Sequence, residues 1–225
     1  MKSSLKKNIP ILLLLLIFFI FNIKTNAKAN QSNSVINEQV AEYNVRSNRP
    51  YAKLTGNKEL FNEPGIFENA KVITSKDEIN YLAKSNLPQN YFYVYKIAKI
   101  NNRFYYAKVV SLNKKYSGWI YAGKHDFKND LKKISKESGI VYSNPLKYSS
   151  MPKVRNGYHI NDVLWTTPNY SRFDSRIIPL NKEDYINDPF RIESAVINSR
   201  GWLYYYLVDE KNSNINGWIF HSSIF

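Results

Sequence analysis

The sequence predicts an all-β protein made of two tandem, small antiparallel units that follow an export signal. Three observations support this prediction: an apolar segment near the N-terminus, four sequence blocks that recur in the same order, and aromatic-rich segments of β-like composition. The chain has 225 residues, with 18 Tyr, 12 Phe and 4 Trp. Such a length allows one large or two small domains, and the aromatic content is sufficient to build buried cores.

Residues 1–29 have the pattern of a secretory signal peptide. Lysines near the start precede an unbroken apolar run, Ile11–Phe21, and Ala27 and Ala29 provide small residues at an A-x-A-like exit. The alternative is an uncleaved anchor, but spanning a bilayer takes about 20 apolar residues, and this run is shorter. We therefore expect cleavage after Ala29, a secreted, cell-surface-associated protein and no stable membrane span in the mature chain.

The charge of the chain is unevenly distributed. Loss of the signal peptide would leave 27 basic residues against 18 acidic ones, a net charge of +9. Residues 51–124 hold 12 basic and 5 acidic residues, whereas residues 158–225 hold 6 and 8. Because a clustered positive field attracts counter-charged molecules, the first region predicts an anionic partner. The chain has no cysteine, so disulfides cannot stabilise it outside the cell.

Four sequence blocks recur about one hundred residues apart, as expected for a repeated structural unit. The block GNKELFNEP lies over INDVLWTTP, AKINNR over AVINSR, FYYAKV over LYYYLV, and SGWIY over NGWIF. The first block aligns Leu60 with Leu164 and Phe61 with Trp165. Because four matches occur in the same order, they indicate a duplicated unit.

Each copy has the composition of a β-hairpin followed by a further strand. Residues 91–100 and 104–111 are rich in aromatic and β-branched residues, and the polar turn 101–103 separates them. Neither copy shows a sustained helical period with caps, so no helix is predicted. A glycine within a strand marks a close approach of another backbone, which predicts core positions for the pairs Gly118-Trp119 and Gly217-Trp218.

The expected organisation follows from the repeat. It consists of a signal peptide (1–29), a flexible arm (30–50), a first basic unit (51–124), a basic linker (125–157) and a second unit (158–225). The linker segment KNDLKKISKES has room for two helical turns at most.

The paired Gly-Trp segments resemble the GW modules of Gram-positive surface proteins, which are relatives of bacterial SH3-like (SH3b) wall-binding domains. The matching residues are GWIY at 118–121 and GWIF at 217–220, with LFNEP and LWTTP as the opening strands. This resemblance covers about two-thirds of the chain and implies two SH3-like β-barrels. It also implies non-covalent attachment to the anionic cell envelope, often through lipoteichoic acid. The second copy departs from the family pattern because it is not basic.

Basic residues of the first copy are the candidate ligands for such a polymer. Rows of Lys and Arg bind polyphosphate-like chains, with an affinity that falls as salt rises. The candidates are Lys96, Lys99, Arg103, Lys108, Lys114, Lys115 and Lys124.

Catalysis has little support in the sequence. His125, His159 and His221 are scattered outside any metal-ligand spacing, and no glycine-rich phosphate loop occurs. We therefore expect a non-catalytic protein with no metal, no cofactor and no nucleic-acid partner. Two alternatives to a teichoic or lipoteichoic acid ligand remain open: a protein-interaction adhesin or accessory factor, and an SH3b-type peptidoglycan binder.

Overall fold

A computed structural model describes residues 40–45 and 50–225, which form a mostly β structure with little helix. The coarse all-β prediction is thus confirmed. The predicted signal peptide and most of the predicted arm lie outside the described residues. The strands are β1 (Val40–Asn44), β2 (Tyr51–Leu54), β3 (Leu60–Phe61), β4 (Val72–Thr74), β5 (Phe92–Ile100), β6 (Phe104–Ser111), β7 (Ser117–Gly123), β8 (Ile140–Tyr142), β9 (Leu146–Tyr148), β10 (Phe190–Asn198), β11 (Leu203–Asp209) and β12 (Asn216–Phe220).

The first sheet curls into a half-barrel. Its strand order is β4-β3-β7-β6-β5-β2-β8, and β1 lies beside the second half of β5. The register of β5 against β6 shifts between Val94 and Lys96, and such a bulge bends a strand. Buried side chains such as Ile97, Val109 and Ile120 fill the concave side.

The second sheet has the order β12-β11-β10-β9. Four isolated bridges add pairings in this region: Tyr158 with Phe190, Ile160 with Ile224, Trp165 with Ile177, and Trp165 with Trp218. A separate cluster of buried side chains, which includes Phe190, Leu207 and Ile219, forms its core.

The two long strands β5 and β10 are equivalent in structure. Phe92 and Phe190 are both fully buried, burial then follows closely similar patterns, and the register of β10 against β11 shifts between Ile192 and Ser194. This correspondence differs by one residue from the sequence alignment, which places Ala98 on Ala195. The reason is physical: a slip of one residue would turn every buried side chain to the other face, so burial sets the register.

Both Gly-Trp pairs lie against the opening segment of their own copy. Phe61 pairs with Trp119, and Trp165 pairs with Trp218. A Cβ atom on Gly118 would lie 2.8 Å from the Phe61 carbonyl oxygen, and one on Gly217 would lie 3.0 Å from the Trp165 carbonyl oxygen. Glycine therefore permits the same close backbone approach in both copies.

The stretch predicted as a linker contributes to both sheets. β8 pairs with β2 in the first sheet, while β9 pairs with β10 in the second. Phe127, Leu131 and Ile140 are buried in the first core. Only residues 143–145 separate β8 from β9. The boundary expected at Lys124 therefore differs from the structure, because apolar residues spaced among the lysines complete the first unit.

The structure also contains a helix that the sequence analysis does not predict, α1 (Lys76–Lys84). The Ser75 hydroxyl accepts a hydrogen bond from the backbone N–H of Glu78, and Ile79 and Leu82 are buried. Ser75 and Glu78 occupy the first and last positions of an S-x-x-E capping box, which is a sequence signal for the start of this helix. Within the described ranges, no helix has the length and apolarity needed to cross a membrane.

Candidate polyanion-binding site

Cross-strand pairing places a row of rings and cations on the face of the first sheet that lies opposite its main core. Tyr106 lies opposite Tyr121, and Lys108 lies opposite both Trp119 and Lys96. Side chains at paired positions of neighbouring strands share a face. The first aromatic face is defined as Lys96, Phe104, Tyr106, Lys108, Trp119 and Tyr121.

A loop covers part of this face. Ile66 and Phe67, which follow β3, pack against the buried cluster that contains Trp119 and Tyr106. These two side chains are consequently only 4% and 8% exposed. Tyr121 remains partly exposed, so the accessible part of the face lies around its ring.

A cleft of about 770 Å³ opens beside Tyr106 and Tyr121. Its charged lining consists of Lys58, Lys76, Lys124, Glu59 and Glu137. The Lys58 ammonium lies 5.7 Å from the centre of the Tyr121 ring. Because lysines outnumber carboxylates in this lining, the cleft carries a net positive charge.

Arg103 adds a further cation to this end of the sheet. It ends the turn between β5 and β6, where Asn101 and Asn102 have φ angles of 51° and 54°. β6 then begins against the end of β7, at Gly123, so Arg103 and Lys124 lie at the same end. Burial raises the pKa of Tyr121, nearby Glu137 raises it further, and Arg103 opposes the shift. Tyr121 therefore presents a neutral hydroxyl at physiological pH, since an ordinary Tyr pKa is about 10.

Five of the seven predicted cations lie over aromatic rings. The distances to the ring centres are 5.9 Å for Lys99 over Tyr105, 5.1 Å for Arg103 over Phe104, 5.4 Å for Lys108 over Trp119, 5.1 Å for Lys114 over Phe173 and 4.9 Å for Lys115 over Tyr116. Only Lys96 of the seven forms an ion pair within the described residues, with Glu42 at 3.1 Å. A ring attracts a cation through its quadrupole without neutralising the positive charge.

The structure brings only some of the seven together. Lys96, Arg103, Lys108 and Lys124 lie on or beside the first aromatic face, and Lys96 is paired with Glu42. Lys99 projects from the core side of β5, and Lys114 and Lys115 lie at the opposite end of the β6–β7 hairpin. A hydrogen bond with Tyr116 raises the pKa of Lys115.

Sequence reasoning missed two lysines of the cleft, Lys58 and Lys76. Lys58 belongs to the first repeated block, where the second copy has Asp162. This difference in charge between aligned positions of the two copies is the sequence signal that identifies Lys58 as a candidate. Lys76 is brought to the cleft by α1, which the sequence analysis does not predict.

The second copy has an equivalent face with different chemistry. Pairing places Tyr204 opposite Phe220 and Tyr206 opposite Trp218, where the first copy has Tyr106 opposite Tyr121 and Lys108 opposite Trp119. The second aromatic face is defined as Trp165, Trp202, Tyr204, Tyr206, Trp218 and Phe220. Tyr206 and Trp218 have ring centres 5.4 Å apart.

No protein-family model matches the chain, and no curated protein matches it. A solved structure described as a "putative autolysin" from Listeria monocytogenes is similar to it, with 14% sequence identity and a TM-score of 0.31. The similarity covers 83% of this chain and 64% of the length of that structure. The GW resemblance therefore stays a prediction.

Proposed function

We propose that this chain is an exported, non-catalytic protein that binds an anionic cell-envelope polymer of the teichoic or lipoteichoic acid class. The binding site is the cleft of the first copy together with the neighbouring cations Arg103 and Lys108. One observation carries this proposal: within the described residues, Lys58, Arg103 and Lys108 lie over aromatic rings, and no cation of the site forms an ion pair with a carboxylate. Their charges remain available to phosphate groups of a ligand.

The physical basis is counter-ion release. A polymer with regularly spaced phosphates loses condensed counter-ions when lysines and arginines contact it, so its affinity depends on the number of contacts and on salt. Binding needs no base or sugar specificity at these positions. The rings hold the side chains of Lys58, Arg103 and Lys108 in position, which lowers the entropy cost of ordering these long side chains.

We further propose that each copy is an SH3-like module of the GW type. The equivalent Gly-Trp contacts, the equivalent bulges in β5 and β10, and the closing pairs β2–β8 and Ile160–Ile224 support this assignment. On this proposal the first module extends to β8. The signal peptide and surface location belong to the same proposal and are supported by the sequence pattern of residues 1–29.

A triple variant tests the proposed site: Lys58→Gln, Arg103→Gln and Lys124→Gln. Each cation contributes about 1 kcal/mol at an anionic surface, so we expect the affinity for purified lipoteichoic acid to fall about a hundredfold at low salt. The slope of log affinity against log salt should fall by about 2 to 3. Calorimetric titration at several sodium chloride concentrations measures both quantities.

The matched control removes the same charge elsewhere, with Lys133→Gln, Lys136→Gln and Lys147→Gln, which are all exposed. Equal losses in the two variants would mean that net charge alone drives binding, and the proposed site would be rejected. Wild-type binding to sacculi stripped of teichoic acid, without binding to lipoteichoic acid, would instead support the peptidoglycan alternative.

A further inference from the structure

The second aromatic face gathers three of the four tryptophans of the chain. Trp165 and Trp218 are partly exposed, and Trp202 is 43% exposed. Trp119, the equivalent of Trp218 in the first copy, is only 4% exposed. The second copy therefore presents to solvent a surface that the first copy covers.

The difference arises in the loop that follows the opening segment. Phe67 donates its backbone N–H to the Pro64 carbonyl at 3.0 Å, and Ser171 donates to the Pro168 carbonyl at 2.9 Å, so the two loops begin with the same turn. Ser171 occupies the position equivalent to Phe67, and its small side chain has no aromatic ring that could cover Trp218.

The remainder of the second loop contacts the first copy instead. The Phe173 ring stacks on Tyr93 with centres 5.3 Å apart. Arg172 Nε donates a hydrogen bond to the Tyr51 hydroxyl at 3.4 Å. Since these side chains are engaged on the first sheet, they do not cover the second aromatic face.

Two cross-strand rows of uncharged side chains make up this face. Ile177, Trp165, Trp218, Tyr206 and Ser194 form the first row. Phe220, Tyr204, Val196 and Tyr148 form the second, in which Tyr204 and Val196 are buried. Neither row contains a carboxylate or an ammonium group. At the edge, the Arg200 guanidinium lies 4.2 Å from the centre of the Trp202 ring. The Tyr206 hydroxyl donates to Asn216 Oδ1 at 2.7 Å, so polar groups border the rings.

We propose that the second aromatic face binds the flat faces of sugar rings in an uncharged polysaccharide. The C–H groups of a sugar ring carry partial positive charge, and they complement the negative face of an aromatic ring. Arg200, Asn216 and Ser194 border the rings with hydrogen-bonding groups suited to hydroxyl or acetamido substituents. The absence of charge in the rows matches a neutral ligand, and Asp162 at the position of Lys58 opposes a polyanion.

A binding experiment on insoluble chitin tests this proposal, with cellulose as a second uncharged polysaccharide. We expect the full chain to be retained on at least one of the two, with retention unchanged between low and high sodium chloride. Trp202→Ala should weaken retention about tenfold, since a single ring contact contributes up to about that factor. Trp202→Phe should restore part of it, because a ring returns to the site.

Tyr81→Ala is the matched control, since Tyr81 is a 61% exposed aromatic residue that lies on α1 of the first copy, away from this face. It should leave retention unchanged. The triple variant Lys58→Gln, Arg103→Gln and Lys124→Gln should also be retained normally on the polysaccharide that retains the wild type, which separates this proposal from the polyanion proposal. Soluble N-acetylglucosamine hexamer should shift the tryptophan fluorescence of the wild type but much less that of Trp202→Ala.

Three outcomes would overturn the inference. The first is no retention of the wild type on either polysaccharide. The second is retention that Trp202→Ala does not change. The third is a protein partner whose binding Trp202→Ala abolishes while polysaccharide binding is absent, because Trp, Tyr and Arg are also the residues that dominate protein–protein contacts.

Discussion

Trp119 in the first copy is buried in a cluster against which Phe67 packs, whereas Trp218 at the equivalent position in the second copy is partly exposed. Both tryptophans follow a glycine that touches a backbone carbonyl of the opening segment. The backbone arrangement is thus the same, and the difference lies in the loop side chains above it. A duplicated β unit can keep its core contacts while changing the surface that it presents.

The equivalent positions around these tryptophans differ in charge as well. Lys58 in the first copy corresponds to Asp162 in the second, and Lys108 corresponds to Tyr206. The first copy therefore combines rings with cations, and the second combines rings with neutral groups. This contrast is the basis for assigning the two faces to different chemical classes of ligand.

The largest expected effect concerns the contact that the copies share. Gly118→Ala places a methyl group 2.8 Å from the Phe61 carbonyl oxygen and 2.7 Å from Ile73 Cδ1. Overpacking of this kind costs up to about 3 kcal/mol of unfolding free energy. Gly217→Ala meets the Trp165 carbonyl oxygen at 3.0 Å and should cost about 2 kcal/mol.

Urea unfolding followed by circular dichroism measures both losses. Ser117→Ala, at the exposed residue before Gly118, is the control and should change the unfolding free energy little. A stable Gly118→Ala variant would contradict the close approach as the reason for glycine.

The cover over Trp119 predicts the next largest effect. Phe67→Ala should lower the unfolding free energy by about 2 kcal/mol, because it removes a partly buried ring from the cluster around Trp119. It should also increase acrylamide quenching of tryptophan fluorescence. Ser171→Ala in the second copy removes no ring and should leave the quenching of Trp218 unchanged. Equal quenching in all three proteins would show that Phe67 does not cover Trp119.

Exchanging charge between the copies has a smaller effect, on binding. Lys58→Asp should weaken lipoteichoic acid binding about tenfold, equivalent to about 1.4 kcal/mol, because it reverses a charge at the cleft. Asp162→Lys, the reciprocal variant, should strengthen binding by no more than a few fold, since the second aromatic face lacks other cations in its rows. Titration calorimetry at fixed salt compares them. A greater gain from Asp162→Lys than loss from Lys58→Asp would place the polymer on the second copy.

Particular residues show which features could be predicted from the sequence. The Gly-Trp strands and the hairpins carry their own local signals, so β5, β6, β7 and their counterparts were expected. β8 and β9 lie in lysine-rich sequence and pair with strands that are distant along the chain. The amino-acid composition therefore does not indicate that these segments are strands. Helix α1 has an N-terminal cap at Ser75, so its start does carry a signal in the sequence.

The candidate site shows the same limit of sequence reasoning. Lys108 lies in a strand whose side chains alternate between the two faces of the sheet, so its face could be predicted from the sequence. The separation of Lys114 and Lys115 from Arg103 follows from hairpin topology, because they lie at opposite ends of β6. The exposure of the second aromatic face depends on the contact of Phe173 with Tyr93 in the first copy. This contact is long-range, and the local sequence does not encode it.

The smallest expected effect is a loss of stability at alkaline pH that both copies share. Burial raises the pKa of Tyr51 and Tyr121 in the first copy and of Tyr185 and Tyr204 in the second. Each contribution is complete below the unfolded-state pKa of about 10 and is lost as the pH rises through the folded-state pKa, because the unfolded chain releases its proton first. The unfolding free energy should therefore fall as the pH rises above about 10, as measured by urea titration.

Substitution of Arg172 separates the contribution of the first copy to this alkaline effect from that of the second copy. Its hydrogen bond and its charge lower the pKa of Tyr51 against the larger effect of burial. Arg172→Gln removes this opposition, so the folded-state pKa of Tyr51 rises further and the alkaline loss of stability becomes larger than in the wild type. Arg200→Gln does the same for Tyr204 within the second copy. If Arg172→Gln leaves the alkaline loss unchanged while Arg200→Gln enlarges it, the contact of Arg172 with the first copy does not persist in solution.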